Sequence, residues 1–244
     1  MRLRIVVLCA LLMLGSFLAS SQPAGAIPAL QLYAEGATYD PDSESWVIED
    51  TTDPFKLWVL GDVGKWGTIE GVKLSGAVLT SEISMLASID LTRTTTALLT
   101  DPSTPQTPTV TSNNPSPDGA VPLLGDGSSL PSHGVFGPGV SFYEWYLGDF
   151  NLIDSPIGDF NGVYPSDFPD AGQINVYSVE ISGFSWVQFD AYDHYYVNSG
   201  KIKYDKAPFS HNAGATPPIP EPATMLLLGT GLVGLVGFRK KFKK

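Results

Sequence analysis

Cysteine is nearly absent from this sequence of 244 residues, because the single one, Cys9, lies in an apolar segment at the amino end. If that segment is removed, the mature chain has no thiol, which excludes disulfides and thiolate chemistry. Cys9 also comes too early to be the lipidated first residue of a lipoprotein. The stability of the mature chain must therefore come from a hydrophobic core rather than from covalent cross-links.

Histidine is scarce as well, with His133, His194 and His211 in the whole chain. There is no Gly-x-Ser-x-Gly elbow and no His-Glu-x-x-His motif, and the nearest approach, residues 183–187, lies in a predicted turn. Asp193 precedes His194, but adjacent residues of a strand face opposite sides and do not pair as in a catalytic triad. The sequence predicts a protein that is not an enzyme, with a polysaccharide- or peptide-acting hydrolase using two carboxylates as the alternative.

Basic residues are few outside the two ends of the chain. Residues 27–218 contain 7 Lys and Arg against 24 Asp and Glu, which gives this part a formal charge of −17. Such a surface repels nucleic acid and anionic lipid, so a nucleic-acid partner is excluded. It favours solubility outside the cell, and it is compatible with cations or cationic polymers.

No amphipathic helix of convincing length occurs in residues 27–218, whereas short segments with apolar residues at every second position recur throughout. This pattern predicts an all-β fold, an antiparallel β-sandwich of the jelly-roll or immunoglobulin-like kind. The predicted strands span residues 30–35, 46–48, 55–60, 69–79, 83–91, 140–147, 173–181, 184–192, 195–198 and 201–204.

Several of these strands carry more specific predictions. Residues 55–60 are apolar on both faces, which indicates a central strand. Residues 83–91 fit either a strand or a short helix, and the β-branched residues within the following segment 92–96 favour a strand. Residues 173–181 and 184–192 flank a turn at Ser182 and Gly183, which predicts a β-hairpin. In the first strand Gln31 and Tyr33 are expected on the face away from the core.

The segment 101–119 interrupts the strand pattern, since its prolines are separated by Thr, Ser, Gln and Asn. No core can be built from this composition, which predicts an exposed, extended loop with polyproline character. We favour one domain, residues 27–218, with a long surface loop, although the segment could also divide two subdomains. The prolines are Pro102, Pro105, Pro108, Pro115 and Pro117.

Residues 1–26 have the features of a secretory signal peptide. Arg2 and Arg4 precede an apolar run, and Ala24 and Ala26 form the small-residue cleavage site, so we expect cleavage after Ala26. A first membrane anchor fits less well because the apolar run is short. The chain is therefore predicted to be exported.

Residues 219–244 form the second targeting segment. Pro220, Glu221 and Pro222 precede an uncharged apolar run with four glycines, and five of the last six residues are Lys or Arg. The run is about long enough to span a tilted or thinned bilayer as one transmembrane helix. The basic tail would stay in the cytoplasm, which places everything before Ile219 across the membrane. An ordinary permanent anchor has the same features.

The order of Pro220-Glu221-Pro222, a short spanning segment and a basic terminus resembles the PEP-CTERM sorting signal of exported bacterial proteins. The resemblance implies a transient inner-membrane anchor that a membrane-embedded exosortase recognises at this motif. It further implies processing and delivery to the cell surface or the extracellular space.

The exported part resembles the choice-of-anchor domains, in particular type N. The resemblance lies in residues 30–40, 55–60, 172–177 and 189–193. These modules are attached to alternative C-terminal sorting signals, and the resemblance implies no established activity.

Acidic turns are the candidate ligand sites for a cation. Asp40, Asp42, Ser43 and Glu44, together with the turn at residues 125–128, offer the oxygen ligands that calcium prefers. No cofactor is required by the sequence, and none of these segments has EF-hand spacing. Ordinary Asp, Asn and Gly turns are the favoured interpretation. The tetrapeptide Gly-Asp-Phe-Asn occurs twice and adds Asp149, Asn151, Asp159 and Asn161.

Aromatic residues beside Asp and Asn are the candidates for sugar stacking, although core packing uses the same residues. They are Tyr143, Trp145, Trp186 and Tyr192. Together these features predict a non-catalytic structural or adhesive protein of the cell surface or exopolysaccharide matrix. A hydrolase and a permanently anchored envelope protein are the alternatives.

Overall fold

The computed structural model describes residues 27–42, 45–49, 53–94, 109–110, 114–131, 136–161, 164–196, 201–208 and 212–216. Within these residues the chain folds mostly into β-strands. In order the elements are β1 (Leu30–Ala34), β2 (Thr38–Asp40), β3 (Ser45–Glu49), β4 (Phe55–Gly61), α1 (Val63–Trp66), β5 (Ile69–Leu79), a 3-10 turn (Thr80–Glu82), β6 (Ser88–Arg93), β7 (Thr109–Val110), β8 (Val140–Phe150), β9 (Ser155–Ile157), β10 (Asp170–Ser182), β11 (Val187–Tyr196), β12 (Ile202–Lys206) and β13 (Asn212–Thr216).

The strands form two sheets. Sheet one has the order β1-β4-β10-β6, with β9 pairing with β10. Sheet two has the order β2-β3-β13-β11-β5-β8-β7, with β12 pairing with β11. The all-β prediction is confirmed in this form, but sheet two is mixed, because β13 lies parallel to β3. The sequence did not predict β13, since its small residues, Asn-Ala-Gly-Ala-Thr, lack the apolar alternation of a recognisable strand.

One hydrophobic core is shared by the two sheets. Leu32 and Val59 of sheet one belong to the same buried cluster as Leu74 and Phe189 of sheet two. The rings of Phe55 in β4 and Phe189 in β11 approach each other with centroids 6.4 Å apart. Because side chains alternate along a strand, the central strands of both sheets turn one of their two faces toward this core. Burial of each large apolar side chain stabilises the fold by about 1.5–3 kcal/mol.

Strand β4 is central in sheet one, as its two apolar faces predict, because it lies between β1 and β10. Leu57 and Val59 face the shared core. On the opposite face, Leu60 packs with Ile157 and Phe160 in a second buried cluster. Sheet one is thus covered on both faces along β4.

The predicted hairpin of residues 173–181 and 184–192 is wrong. Strand β10 belongs to sheet one and β11 to sheet two, so the chain crosses from one sheet to the other at residues 183–186. Each strand has one apolar face. The two faces pack into the shared core from opposite sides, β10 from sheet one and β11 from sheet two. Alternation specifies which face of a strand is buried, but it does not specify the neighbouring strand.

The segment 83–91 is neither one strand nor one helix. A 3-10 turn occupies Thr80–Glu82, and β6 begins only at Ser88 and runs to Arg93. Between them the side chains of Met85 and Leu86 are almost fully exposed. Ile89 and Leu91 of β6 belong to the shared core. The apolar alternation therefore predicted a strand correctly only for the end of the segment.

The proline-rich segment and the two targeting segments lie largely outside the described residues. Thr109–Val110 pairs with β8, and Ser116 binds β8 through its backbone N–H to the Phe142 carbonyl at 2.8 Å. The later part of this loop is therefore attached to sheet two. Signal peptide residues 1–26, with Ala24 and Ala26, and the terminal segment 219–244 are outside the described part. In the part that is described, no helix has the length and apolar character needed to cross a membrane.

Candidate functional site

The four aromatic residues predicted to stack on sugars do not share one surface. Trp145 is buried in the shared core, with its ring stacked on Tyr143 at 6.1 Å. Tyr192 is buried and its hydroxyl donates to Glu144. Trp186 packs against a separate hydrophobic cluster. Tyr143 and Trp145 line a cavity of about 410 Å³ beside the exposed Met85 turn.

The acidic turns predicted to hold calcium are closed by their own backbone. In three of them the carboxylate accepts the N–H of the second residue along, at 2.9–3.1 Å, which satisfies one oxygen without a metal. Across the described ranges, no three His, Cys, Asp or Glu side chains come together as metal ligands. Ser43 and Glu44 lie outside those ranges. The three pairs are Asp40 with Asp42, Asp126 with Ser128, and Asp159 with Asn161.

The repeated Gly-Asp-Phe-Asn tetrapeptide marks two anchored segments. Phe150 and Phe160 are both fully buried. A buried glutamine of sheet one binds the backbone of each segment: Gln173 accepts the N–H groups of Asn151 and Leu152 at 2.9 and 3.0 Å. The buried ring and the glutamine hydrogen bonds together fix each segment in place, although the repeat builds no repeated domain.

The second glutamine is Gln31, which lies on the face away from the shared core, as predicted, but is buried there by a loop. It is 1% exposed, its Oε1 accepts the Phe160 N–H at 2.9 Å, and its Nε2 donates to the Gly158 carbonyl at 3.0 Å. The loop that follows β9 covers this face of β1, and an amide side chain satisfies the loop backbone that would otherwise be buried without partners. Only the fold reveals this role, because the two segments are more than 120 residues apart.

The loop fixed by Gln31 carries aromatic rings onto the outer side of sheet one. We name this surface the aromatic face, and define it by Tyr33, Trp58, Tyr164 and Phe168. The Tyr33 ring lies 5.7 Å from Trp58 and 5.9 Å from Tyr164, and Tyr164 lies 5.8 Å from Phe168, all edge-to-face. Tyr164 is 54% and Phe168 36% exposed. The face therefore presents two rings to solvent, and they rest on the partly buried rings of Tyr33 and Trp58.

Buried rings hold the aromatic face in place. Phe160 contacts both Tyr33 and Tyr164, at 5.2 and 5.3 Å between centroids. Trp46 of sheet two contacts Tyr33 at 5.0 Å, and its indole Nε1 donates to the Phe160 carbonyl at 3.0 Å. Such aromatic pairs add about 0.5–1.5 kcal/mol each beyond area burial. The exposed rings are thus oriented before any partner arrives.

Carboxylates flank the aromatic face along the chain. Asp159 precedes Phe160, Asp167 precedes Phe168, and Asp167 is exposed. The pKa of Tyr33 is raised, chiefly by burial and also by the charge of Glu35, so its hydroxyl keeps its proton at neutral pH. Flat rings bordered by hydrogen-bonding oxygens are the surface chemistry that suits a sugar, which has apolar C–H faces and hydroxyl edges.

A second cluster, of charged side chains, lies on sheet two away from the shared core. Tyr192 of β11 donates to Glu144 of β8, and Lys73 of β5 reaches the same carboxylate at 3.6 Å. Asp190 lies two residues before Tyr192 in β11. It is 1% exposed and interacts with the charge of Lys206. Register explains the proximity, because Lys73 pairs with Tyr192 and Ser75 pairs with both Asp190 and Glu144.

Burial dominates the acid–base behaviour of this charged cluster. It raises the pKa of Asp190 to about 7 against the opposing charge of Lys206. It also raises the pKa of Tyr192, and the adjacent Glu144 charge adds to that rise. The residues of the charged cluster line neither the 410 Å³ cavity nor a second cavity, of about 520 Å³, beside β2 and β3.

The triad-like elements of the sequence take ordinary positions. Residues 183–187 connect the two sheets and lead into strand β11, rather than into the helix that follows a nucleophile elbow, and the Ser185 N–H donates to Glu82 at 2.9 Å. His194 lies in β11 opposite Tyr204 of β12. His133 and His211 are outside the described residues.

Comparison with known protein families identifies a motif at the C-terminal end of the chain. Residues 218–241 match the model of the PEP-CTERM protein-sorting motif, and the matched range contains Pro220, Glu221 and Pro222. The predicted sorting signal is confirmed by this match. It makes the chain an exosortase substrate, exported to the cell surface through a membrane-anchored intermediate. A search of curated proteins finds no match to this chain.

Proposed function

We propose that this protein is a non-catalytic, adhesive component of the cell surface or extracellular matrix, which binds polysaccharide through the aromatic face. The sorting motif supplies the destination, and the observation that carries the binding role is the pair of exposed, pre-oriented rings of Tyr164 and Phe168. Exposed aromatic patches on a soluble domain mark interaction sites.

Charge narrows the class of polysaccharide. The formal charge of −17 in residues 27–218 disfavours a strongly anionic polymer at low ionic strength. Asp167, which precedes Phe168 in the chain, accepts hydrogen bonds but donates none when ionised. A neutral or cationic polysaccharide is therefore the partner that this surface suits.

The charged cluster of sheet two supports a structural rather than a catalytic role for its carboxylates. Glu144 is engaged by Tyr192 and Lys73, and Asp190 is almost completely buried. General acid–base catalysis needs a carboxylate that reaches the proton of a bound substrate. Groups closed in by their own neighbours stabilise the sheet instead.

For the fold itself, we propose the β-sandwich class of jelly-roll or immunoglobulin-like kind, on the basis of the core shared by the two sheets. The resemblance to choice-of-anchor modules of type N agrees with such a domain joined to a sorting signal. Neither assignment implies an activity.

The binding proposal predicts that the Tyr164→Ala/Phe168→Ala double variant binds surface polysaccharide about tenfold or more weakly, since each lost ring removes about 0.5–1.5 kcal/mol of stacking. The measurement is affinity electrophoresis of the exported protein in gels that contain polysaccharide purified from its own cells. Dextran, chitosan and alginate serve as neutral, cationic and anionic probes.

Tyr146→Ala is the matched control, because Tyr146 is 43% exposed but lies on β8 away from the aromatic face. It should bind like the wild type. Equal retention of the double variant and the wild type would refute the assignment of the aromatic face. Release of reducing ends from any of the polymers would instead favour the hydrolase alternative.

The sorting part of the proposal predicts that deletion of residues 220–244 moves the protein from the cell surface to the medium. The circular dichroism of the domain should stay unchanged, because the deletion leaves every described strand intact. Cell fractionation checks the location. Retention at the same surface site without this tail would contradict the role of the motif.

Replacement of Pro220, Glu221 and Pro222 by alanine separates processing from anchoring, since it keeps the apolar run and the basic tail. We expect this variant to remain in the inner membrane with Lys244 present. Mass spectrometry of the wild-type C-terminus completes the test, because an intact Lys244 in the mature wild type would indicate a permanent anchor.

A further inference from the structure

Two aspartates meet where strand β4 ends and strand β10 begins. Asp62 follows β4 and caps α1, and Asp170 is the first residue of β10. The two strands are antiparallel neighbours, with Gly61 opposite Gln173, so these ends lie side by side. Helix α1 packs directly on β10, since a Cβ on Gly64 would lie 2.9 Å from Asp170 Oδ1.

The Asp62 side chain is buried and incompletely satisfied. The residue is 1% exposed, and its Oδ1 accepts the Lys65 N–H at 3.3 Å. Its Oδ2 is buried and has no hydrogen-bond partner within the part of the chain that the structure describes. The carboxyl group of Asp170 lies close enough to that of Asp62 to affect its pKa. Two ionised carboxylates have no proton to share, so this contact is unfavourable unless a cation joins it.

The groups around the pair do not neutralise it. Lys65 is the basic side chain nearest in sequence, but it is exposed, with its Nζ over the Trp66 ring at 4.9 Å. Burial and the Asp170 charge together raise the pKa of Asp62 to about 6. At Asp62 the charge of Asp170 thus outweighs the opposing charge of Lys65.

We propose that Asp62 and Asp170 bind one calcium ion, with Asp62 Oδ2 and the Asp170 carboxylate as its charged ligands. Calcium prefers oxygen ligands in flexible geometry and accepts backbone carbonyls and water for its remaining positions. The Ala171 carbonyl lies on the same side of α1, 2.4 Å from where a Gly64 Cβ would be. Sequence inspection missed this site because its two aspartates are 108 positions apart.

Bound calcium would connect α1 to the start of β10, two residues after Phe168. It would therefore stabilise the end of the loop that carries the aromatic face. The proposal does not depend on polysaccharide binding, because the ion is held by residues outside that face.

The test is thermal unfolding of the exported protein in EDTA and in increasing calcium chloride, with calorimetric titration of the same samples. Calcium at a hundredfold excess over its Kd should raise the Tm by about 5 °C. Asp62→Asn and Asp170→Asn should abolish this rise. In EDTA at neutral pH, Asp62→Asn should be at least as stable as the wild type, because it keeps the cap acceptor and removes the repulsion.

Asp126→Asn is the control, since Asp126 is an exposed carboxylate in a turn away from the pair. It should keep the full calcium response. An equal Tm rise in Asp62→Asn would show that calcium only screens the acidic surface, and would overturn the proposal. A wild type whose Tm does not respond to calcium would overturn it as well.

Discussion

The Gly172→Ala variant is expected to lose about 3 kcal/mol or more of unfolding free energy, because the added Cβ has no room. In the structure that Cβ would lie 2.1 Å from the Gly61 carbonyl oxygen and 2.8 Å from Ile157 Cδ1. Real Cβ contacts are never that short, and the first obstacle is backbone. Strand β10 would have to move away from β4, which is its partner over seven residue pairs. Urea unfolding of the wild type and the variant measures the loss.

Gly214→Ala is the control for this variant, because Gly214 also lies in a strand. Its Cβ would meet Gln188 Oε1 at 3.0 Å and nothing else closer than 3.7 Å. The end of a glutamine side chain can move aside, so the expected cost is below about 1 kcal/mol. A Gly172→Ala variant as stable as Gly214→Ala would show that the β4–β10 pairing is not as close as described.

The titration of Asp190 is expected to lower the unfolding free energy of the wild type by about 2–3 kcal/mol between pH 5 and pH 8. Burial raises the pKa of Asp190 to about 7, whereas an unfolded aspartate titrates near its model value of 3.8. Between those values the folded state holds a proton that the unfolded state has released. The resulting stability is complete below the unfolded pKa and is lost as the pH rises through 7, at about 1.4 kcal/mol per pH unit.

Asp190→Asn removes this titration while it keeps the size of the side chain. Urea unfolding at several pH values should therefore show a much flatter profile for the variant. Asp62, whose pKa is raised to about 6, contributes in the same direction and remains in Asp190→Asn. Identical profiles for the variant and the wild type would show that Lys206 keeps Asp190 ionised in the folded state.

Local pattern was sufficient for most strands of this fold. The alternation of residues 30–35, 69–79 and 140–147 corresponds to β1, β5 and β8, and the apolar block 55–60 corresponds to the central strand β4. The sequence did not predict the short strand β2 or the small-residue strand β13, because neither shows apolar alternation over enough residues.

The candidate site was much less predictable. Sequence inspection proposed Tyr143, Trp145, Trp186 and Tyr192 for sugar stacking, and the fold buries two of them. The rings that are exposed, Tyr164 and Phe168, lie in a region without strand pattern and gave no periodic signal. Their orientation depends on Gln31 and Trp46, which are more than 110 residues away along the chain.

By itself the sequence determined that this protein carries a sorting signal and, in the strands with apolar alternation, which side chains face the shared core. Sorting signals are contiguous, and alternation has a period of two residues, so both can be read from neighbouring positions. Only the tertiary structure decided which strands pair, that β10 and β11 belong to different sheets, and that Asp62 meets Asp170. Strand pairing cannot be read locally, because distant segments have equivalent apolar faces. The packing of the whole core determines which of them become neighbours.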